Sequence, residues 1–183
     1  MILDTPLRSR RLLLRTLAVD DATERYLGWM RDPETTRYLE ARLVEHSLQS
    51  LHEYIESCAA SPTELLLGIC LPDGEHIGNI KLGPIDSYHR RAAVGLLIGE
   101  REQRGMGYAT EAIVAVTARA FGAMTLEKLY AGCYASNIGS ARAFLKAGWS
   151  EEGRSKAAWR ADDGREDNIA LGITLADWSA LRQ

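Results

Sequence analysis

Cysteine is scarce in this chain of 183 residues: Cys58, Cys70 and Cys133 lie far apart and none belongs to a Cys-x-x-Cys pair. That spacing argues against both a disulfide framework and a cysteine zinc site, and no metal is expected. Long apolar runs are also missing. None approaches the roughly 18 to 20 residues of a membrane span, and the first residues lack the apolar stretch of a signal peptide. A reducing, cytoplasmic setting is the expectation. An excess of one charge is lacking too, since the formal net charge is -3. Neither nucleic acid nor a membrane surface is therefore expected as a partner. The one basic cluster, Arg8, Arg10, Arg11 and Arg15, reads as the solvated start of a first strand. No linker, repeat or low-complexity segment appears, so residues 1–183 are expected to form one domain.

Arg11 to Leu17 reads as that first strand. Asp21-Ala22-Thr23-Glu24 has capping-box spacing for a helix with Ala22, Tyr26, Trp29 and Met30 on its inner face, ended by Asp32-Pro33. A second helix starts at Ser47, with Leu48, Leu51, Ile55 and Cys58 on one stripe until Ser61-Pro62. Leu65 to Leu71 and His76 to Leu82 flank Pro72-Asp73-Gly74-Glu75 as an antiparallel hairpin. A loop from Gly83 to Arg91 leads into Ala92 to Gly99, a central strand apolar on both faces and expected to be covered on both. Within it, Gly95 and Gly99 mark a bulge, a close approach or mere packing.

Helix Tyr108 to Phe121 buries Ala109, Ala112, Ile113, Val116 and Ala120, leaving Glu111 and Arg119 for the outside. Leu129 to Tyr134 is the next strand. A short helix capped by Ser136 or Asn137 runs to Ala147 and stops at Gly148. Trp149 to Trp159 and Asn168 to Thr174 close the sheet around Asp162-Asp163-Gly164-Arg165, and Ala176 to Leu181 is a terminal helix. The order predicts an α+β fold with a mixed, mostly antiparallel sheet of six to seven strands, one central parallel pair and four to five helices.

Between the central strand and the long helix lies Arg104-Gly105-Met106-Gly107-Tyr108-Ala109. A glycine turn at a helix start aims backbone N–H groups at one point and favours an anion. A Walker loop would need a lysine after the last glycine, where Tyr108 stands. A dinucleotide fingerprint would sit at the first strand of a doubly wound sheet, and this turn is in mid-chain.

Arg104-x-x-Gly107-x-Ala109 resembles the acetyl-CoA motif of the GNAT family of N-acetyltransferases. Asn137-x-x-Ser140, followed by Phe144-Leu145-Lys146-Ala147-Gly148-Trp149, resembles that family's second motif. The likeness runs from Arg11 to Trp178 and is nearest the ribosomal-protein N-acetyltransferase branch. Tyr26-Leu27-Gly28-Trp29, Asp32-Pro33-Glu34 and His76 to Lys81 are similar to enzymes acting on amino groups of nucleotide-linked sugars.

The resemblance implies the GNAT fold, with its parallel pair splayed for CoA. It implies that the backbone of Gly105, Met106, Gly107, Tyr108, Ala109 and Thr110 holds the CoA pyrophosphate, with Arg104 adding charge or shaping the loop. The pantetheine arm would lie along Leu96, Leu97 and Ile98, and a strand N–H would polarise the thioester carbonyl. Asn137, Ser140 and Phe144 would meet the cofactor. Family members often carry a glutamate base where Ala93 and Gly132 stand, and a tyrosine acid where Phe144 stands. An amine must still lose a proton before attack. Water relayed to Glu40, Glu100 or His89 is then the candidate base, and Ser140, followed by Tyr134, the candidate acid. Ser140 is otherwise a helix-start hydroxyl and Asn137 a cap. Trp29, Tyr38, Glu40 and Arg42 are candidates for the acceptor wall, and Arg37 or Arg42 for an acceptor phosphate. Trp149, Trp159 and Trp178 are expected in the core or an interface, and His46 and His52 in solvent. The acceptor is expected to be a small-molecule amine, such as a sugar nucleotide, or a protein N-terminus, for example of a ribosomal protein. The alternatives are a CoA-binding sensor without catalysis, and either a monomer or a homodimer.

Overall fold

Strand Leu13–Thr16 (β2) pairs on one edge with the two-residue strand Leu7–Arg8 (β1) and on the other with Leu65–Cys70 (β3). The computed structural model describes residues 1–161 and 164–182. Beyond β3 the sheet continues through His76–Asp86 (β4), Arg91–Ile98 (β5) and Lys128–Tyr134 (β6). Gly164–Thr174 (β8) and, at the far edge, Ser150–Ala161 (β7) complete eight strands in the order β1-β2-β3-β4-β5-β6-β8-β7. Of the seven pairings only β5 with β6 is parallel. The fold is the expected α+β arrangement, with more strands than expected. The extra strand β1 is too short to show a period-two pattern.

Among the described residues six α-helices pack around the sheet, more than the four to five expected. Glu24–Arg31 (α1) is capped by Thr23, whose side chain accepts from the Tyr26 N–H. Asp21 stands outside this helix in a 3-10 turn and binds the Arg15 guanidinium at 2.6 and 2.7 Å. The capping box expected at Asp21 to Glu24 thus loses its acid to an ion pair. Asp32 ends α1 as expected, then caps the single turn Pro33–Thr36 (α2), because a proline fits the first helical position. Leu48–Ala60 (α3) starts from Ser47 and buries Leu51, Ile55 and Cys58.

Tyr108–Gly122 (α4) packs Ala112, Ile113, Val116 and Ala120 on the sheet. Glu111, expected outside, instead accepts from the Ser9 hydroxyl and from the backbone and guanidinium of Arg11. Burial opposes its charge, but those donors outweigh burial and hold its carboxyl below the usual value. Arg11 and Arg15 are therefore paired, not simply solvated. Ile138–Lys146 (α5) is capped by Asn137, and Leu175–Ala180 (α6) by Thr174. The expected turn residues Asp162 and Asp163 lie outside the described residues.

The main core lies between α4, α5 and one face of the sheet, with Leu14, Ile69, Ile80, Leu129 and Leu171 buried in it. A second cluster joins α1 and α3 to the other face through Tyr26, Trp29, Leu51, Ile55 and Leu66. Among the described residues no helix is long and apolar enough to cross a membrane, and no cluster of His, Cys, Asp and Glu could hold a metal ion.

Candidate active site

The site begins where the parallel pair ends. β5 and β6 are in register at Arg91 with Lys128, Ala92 with Leu129 and Ala93 with Tyr130, and no further. β5 then continues paired with β4 alone, from Val94 opposite Leu82 to Ile98 opposite Gly78. The second half of a central strand thus offers one backbone edge to a ligand. It is not covered on both faces as expected: Gly95 is exposed and Leu96, Leu97 and Ile98 are half-buried. The register shift in this part of the sheet falls between Leu82 and Ile85 of β4, not at Gly95. Gly99 has a different reason to be glycine, since a side chain there would collide with the Trp29 ring.

A cleft of about 530 Å3 lies between the end of β5, the glycine turn and α5. Leu96, Leu97 and Ile98 form one wall; Arg104, Gly105, Gly107, Tyr108 and Ala109 form its floor. Gly105 and Gly107 take φ of +76° and +83°, which L side chains adopt at a cost. Gly107 caps α4 without a side chain, and the first helical bond runs from the Glu111 N–H to the Gly107 carbonyl at 3.1 Å. The N–H groups of Tyr108, Ala109 and Thr110 therefore have no helical partner, and about half a positive charge gathers there. Across the cleft α5 presents Asn137, Gly139, Ser140, Ala143 and the cations Arg142 and Lys146. Arg37 follows α2 at the rim. Uncapped N–H groups, nearby cations and an unpaired strand edge fit a diphosphate joined to an amide-containing arm, which is the chemistry of CoA.

Arg104 shapes the loop: its Nε donates to the Ile98 carbonyl at 3.0 Å, and Nη2 donates to the Gly99 carbonyl at 3.0 Å and the Thr35 hydroxyl at 2.6 Å. Three of the residues expected at the cofactor also make contacts within the protein. Met106 is 55% exposed, and its carbonyl accepts from Arg11 Nη1 outside the cleft. The Thr110 hydroxyl donates to the Ala143 carbonyl and ties α4 to α5. Phe144 is buried, its ring 4.7 Å from that of Trp149. Arg142 and Lys146 were not foreseen, although their spacing from Gly139 and Ala143 puts all four on one helical face.

On the opposite side of β5 is a cavity of about 610 Å3, and Leu96 and Leu97 line it as well as the cofactor cleft. Glu40, one of the residues expected at the acceptor, lines this cavity. Trp29 does not: it is buried over Gly99, and its Nε1 donates to Glu100 at 3.0 Å. Tyr26 and Met30 of α1 line the cavity instead. Burial pushes the Tyr26 phenol up to about 12 and raises that of Tyr54, so both stay neutral walls near pH 7. Tyr38 and Arg42 border a third, polar cavity of about 550 Å3 together with Tyr134, Arg165 and Glu166, and Tyr38 also borders the cofactor cleft.

The Tyr134 hydroxyl accepts from Arg42 Nη2 at 3.0 Å and donates to Glu40 at 3.4 Å, while Trp159 stacks on its ring. The Ser140 backbone N–H donates to Asn137 Oδ1, so the cap is Asn137 and the serine hydroxyl is not the capping group. Of the candidate bases, Glu100 is held by Trp29 and by Arg25 at 3.4 Å. His89 sits in the turn before β5, at the end of that strand away from the cleft. Only Glu40 of the three borders a cavity that reaches Leu96 and Leu97.

A sheet that opens on a glycine-turn anion site, with a second cavity behind the same strand, defines a CoA-dependent acyltransferase. The chain matches the family described as "Acetyltransferase (GNAT) domain" over residues 11–150, and it belongs to that family. It is 32% identical over 151 residues to the uncharacterized N-acetyltransferase YoaA of Bacillus subtilis (strain 168), a match covering 80% of this chain and 84% of that protein. Its fold resembles spermidine N-acetyltransferase from Vibrio cholerae in complex with CoA and spermine, with a TM-score of 0.83 and 20% identity over 93% of this chain and 99% of that one. It also resembles Mycobacterium smegmatis RimJ in complex with CoA-disulfide, with a TM-score of 0.80 and 22% identity over 94% and 87% of the two chains. The protein is an N-acetyltransferase, and its acetyl donor is acetyl-CoA.

Proposed function

We propose that residues 1–183 act as one domain that acetylates a primary amine by direct attack, the acceptor entering from the cavity behind β5. The observation that carries this reading is the shared wall: Leu96 and Leu97 border both the cofactor cleft and the second cavity. Bound acetyl-CoA supplies the acetyl thioester. Main-chain N–H groups at Tyr108, Ala109 and Thr110 hold its diphosphate, and Leu96 to Ile98 orient the arm. Glu40 takes the proton that the amine must lose, with Tyr134 donating to its carboxylate and Arg42 in turn donating to Tyr134. Ser140, on the wall of the cleft, would give a proton to the sulfur that leaves as the amide forms, and would be reprotonated from solvent. The relatives support a small amine or a protein N-terminus and lend nothing to an amino sugar; one of them is by name a spermidine acetyltransferase. The unpaired buried thiols Cys58, Cys70 and Cys133 are compatible with the reducing cytoplasm.

The test is calorimetric binding of acetyl-CoA followed by CoA release with alkylamines, spermidine, glucosamine and peptides with free N-termini. Release with any of these amines, matched by acetylated product, supports the reading. Binding without release on every amine would make the chain a sensor.

A further inference from the structure

We infer that the acceptor cavity takes a primary amine carried on an uncharged, apolar body, and that Gly95 sets how large the body can be. The inference rests on the acetyl-transfer reading and adds the substrate class. Met30, Leu39, Leu51, Leu66, Leu96 and Leu97 give the wall its apolar character. The polar side chains along it are largely engaged. Asn79 Oδ1 lies 2.8 Å from His76 Nε2, and Lys81 is paired with Glu64, outside the cavity, at 2.7 Å, its ammonium 5.5 Å from the centre of the Tyr54 ring. A ring nitrogen of His46 lies 2.8 Å from the Ala41 carbonyl. Glu40 and Glu45 then set the charge of the wall. Such a space suits a single ammonium held near a carboxylate and an apolar remainder against leucines. A sugar diphosphate would bring anions toward Glu40 and Glu45, and a polyamine would place further ammonium groups against apolar walls, where an unpaired charge is strongly disfavoured.

Gly95 is the unusual member of this wall. It lies in the middle of β5 opposite Lys81, yet it is exposed, and a Cβ built on it meets nothing within 4 Å. Its φ is outside the left-handed range, so backbone conformation does not call for glycine. What glycine provides here is room on the floor of the cavity. Gly95 does not border the cofactor cleft, so a side chain there should act on the acceptor alone.

The experiment measures kcat/KM for n-alkylamines from propylamine to octylamine, with spermidine and glucosamine alongside. Wild type, Gly95→Ala and Gly95→Leu are compared, and acetyl-CoA affinity and thermal stability are measured for each. In wild type each methylene should raise kcat/KM about fourfold until the cavity is full, the transfer value of one buried CH2. Gly95→Leu should lower kcat/KM for the long amines at least about tenfold more than for propylamine and leave acetyl-CoA affinity within about twofold, with Gly95→Ala between. A flat series, a preference for spermidine or glucosamine, or an equal loss on all amines in a folded Gly95→Ala protein would overturn the inference while leaving acetyl transfer intact. Absence of transfer to every amine of this series despite acetyl-CoA binding would overturn the inference, and absence with peptides bearing free N-termini as well would overturn both.

Discussion

The two halves of β5, Arg91 to Ala93 at its start and Leu96 to Ile98 at its end, do different things. Arg91 to Ala93 have a strand on each side, and Ala92 is completely buried. Leu96 to Ile98 have β4 on one side, two cavities around them and partial exposure. Apolar side chains in the first half are held by the protein. In the second half similar side chains are left for ligands, and the missing sheet partner leaves backbone groups to be satisfied from outside. Sheet closure and ligand binding therefore compete for one strand edge, and the divergence after Ala93 and Tyr130 divides it between them.

The sharpest test of the ligand half is Ser140→Ala. Turnover should fall about a hundredfold, the lower range for a positioned general acid, with acetyl-CoA affinity little changed. Unchanged kcat would leave Ser140 as cleft wall only. Leu129 sits opposite Ala92 in the closed half and is completely buried. Leu129→Ala should cost about 2–5 kcal/mol in denaturant unfolding, whereas Leu97→Ala in the open half should cost under about 1 kcal/mol and show instead in the kinetics. Equal losses of stability would erase the distinction between the halves. Gly107→Val strains a left-handed position and crowds the uncapped N–H groups, so calorimetry should show acetyl-CoA binding weakened at least about tenfold, or about 1.4 kcal/mol. Asn137→Ala removes a cap and should lower stability by about 1 kcal/mol, with a smaller effect on acetyl-CoA affinity.

The cofactor end was open to reading from sequence because its residues are contiguous. Gly105 and Gly107 mark left-handed turns, and the apolar period from Ala109 marks the helix they start. The acceptor end comes from separate segments. Glu40 in a 3-10 turn, Leu51 in α3, Leu66 in β3 and Gly95 in β5 meet only in three dimensions. No local period reports such a meeting. Trp29 and Phe144 show a related limit: large aromatic residues near a motif look like ligand contacts, but burial places both in the core. Helical phase alone puts Glu111 toward solvent, because phase gives no information on an arginine one hundred residues earlier.

That arginine links two parts of the molecule in energy as well as in space. Arg11 binds Glu111, donates to the Met106 carbonyl at 3.0 Å and lies 4.6 Å from the centre of the Tyr108 ring. The segment entering β2 is thereby fastened to the glycine turn proposed to receive the diphosphate. A ligand that holds this turn in its native form also favours the docked form of Ser9 to Leu12, and docking of that segment favours the ligand by the same free energy. The outer strands of the sheet, which touch no cofactor, thus share in the occupancy of the cleft.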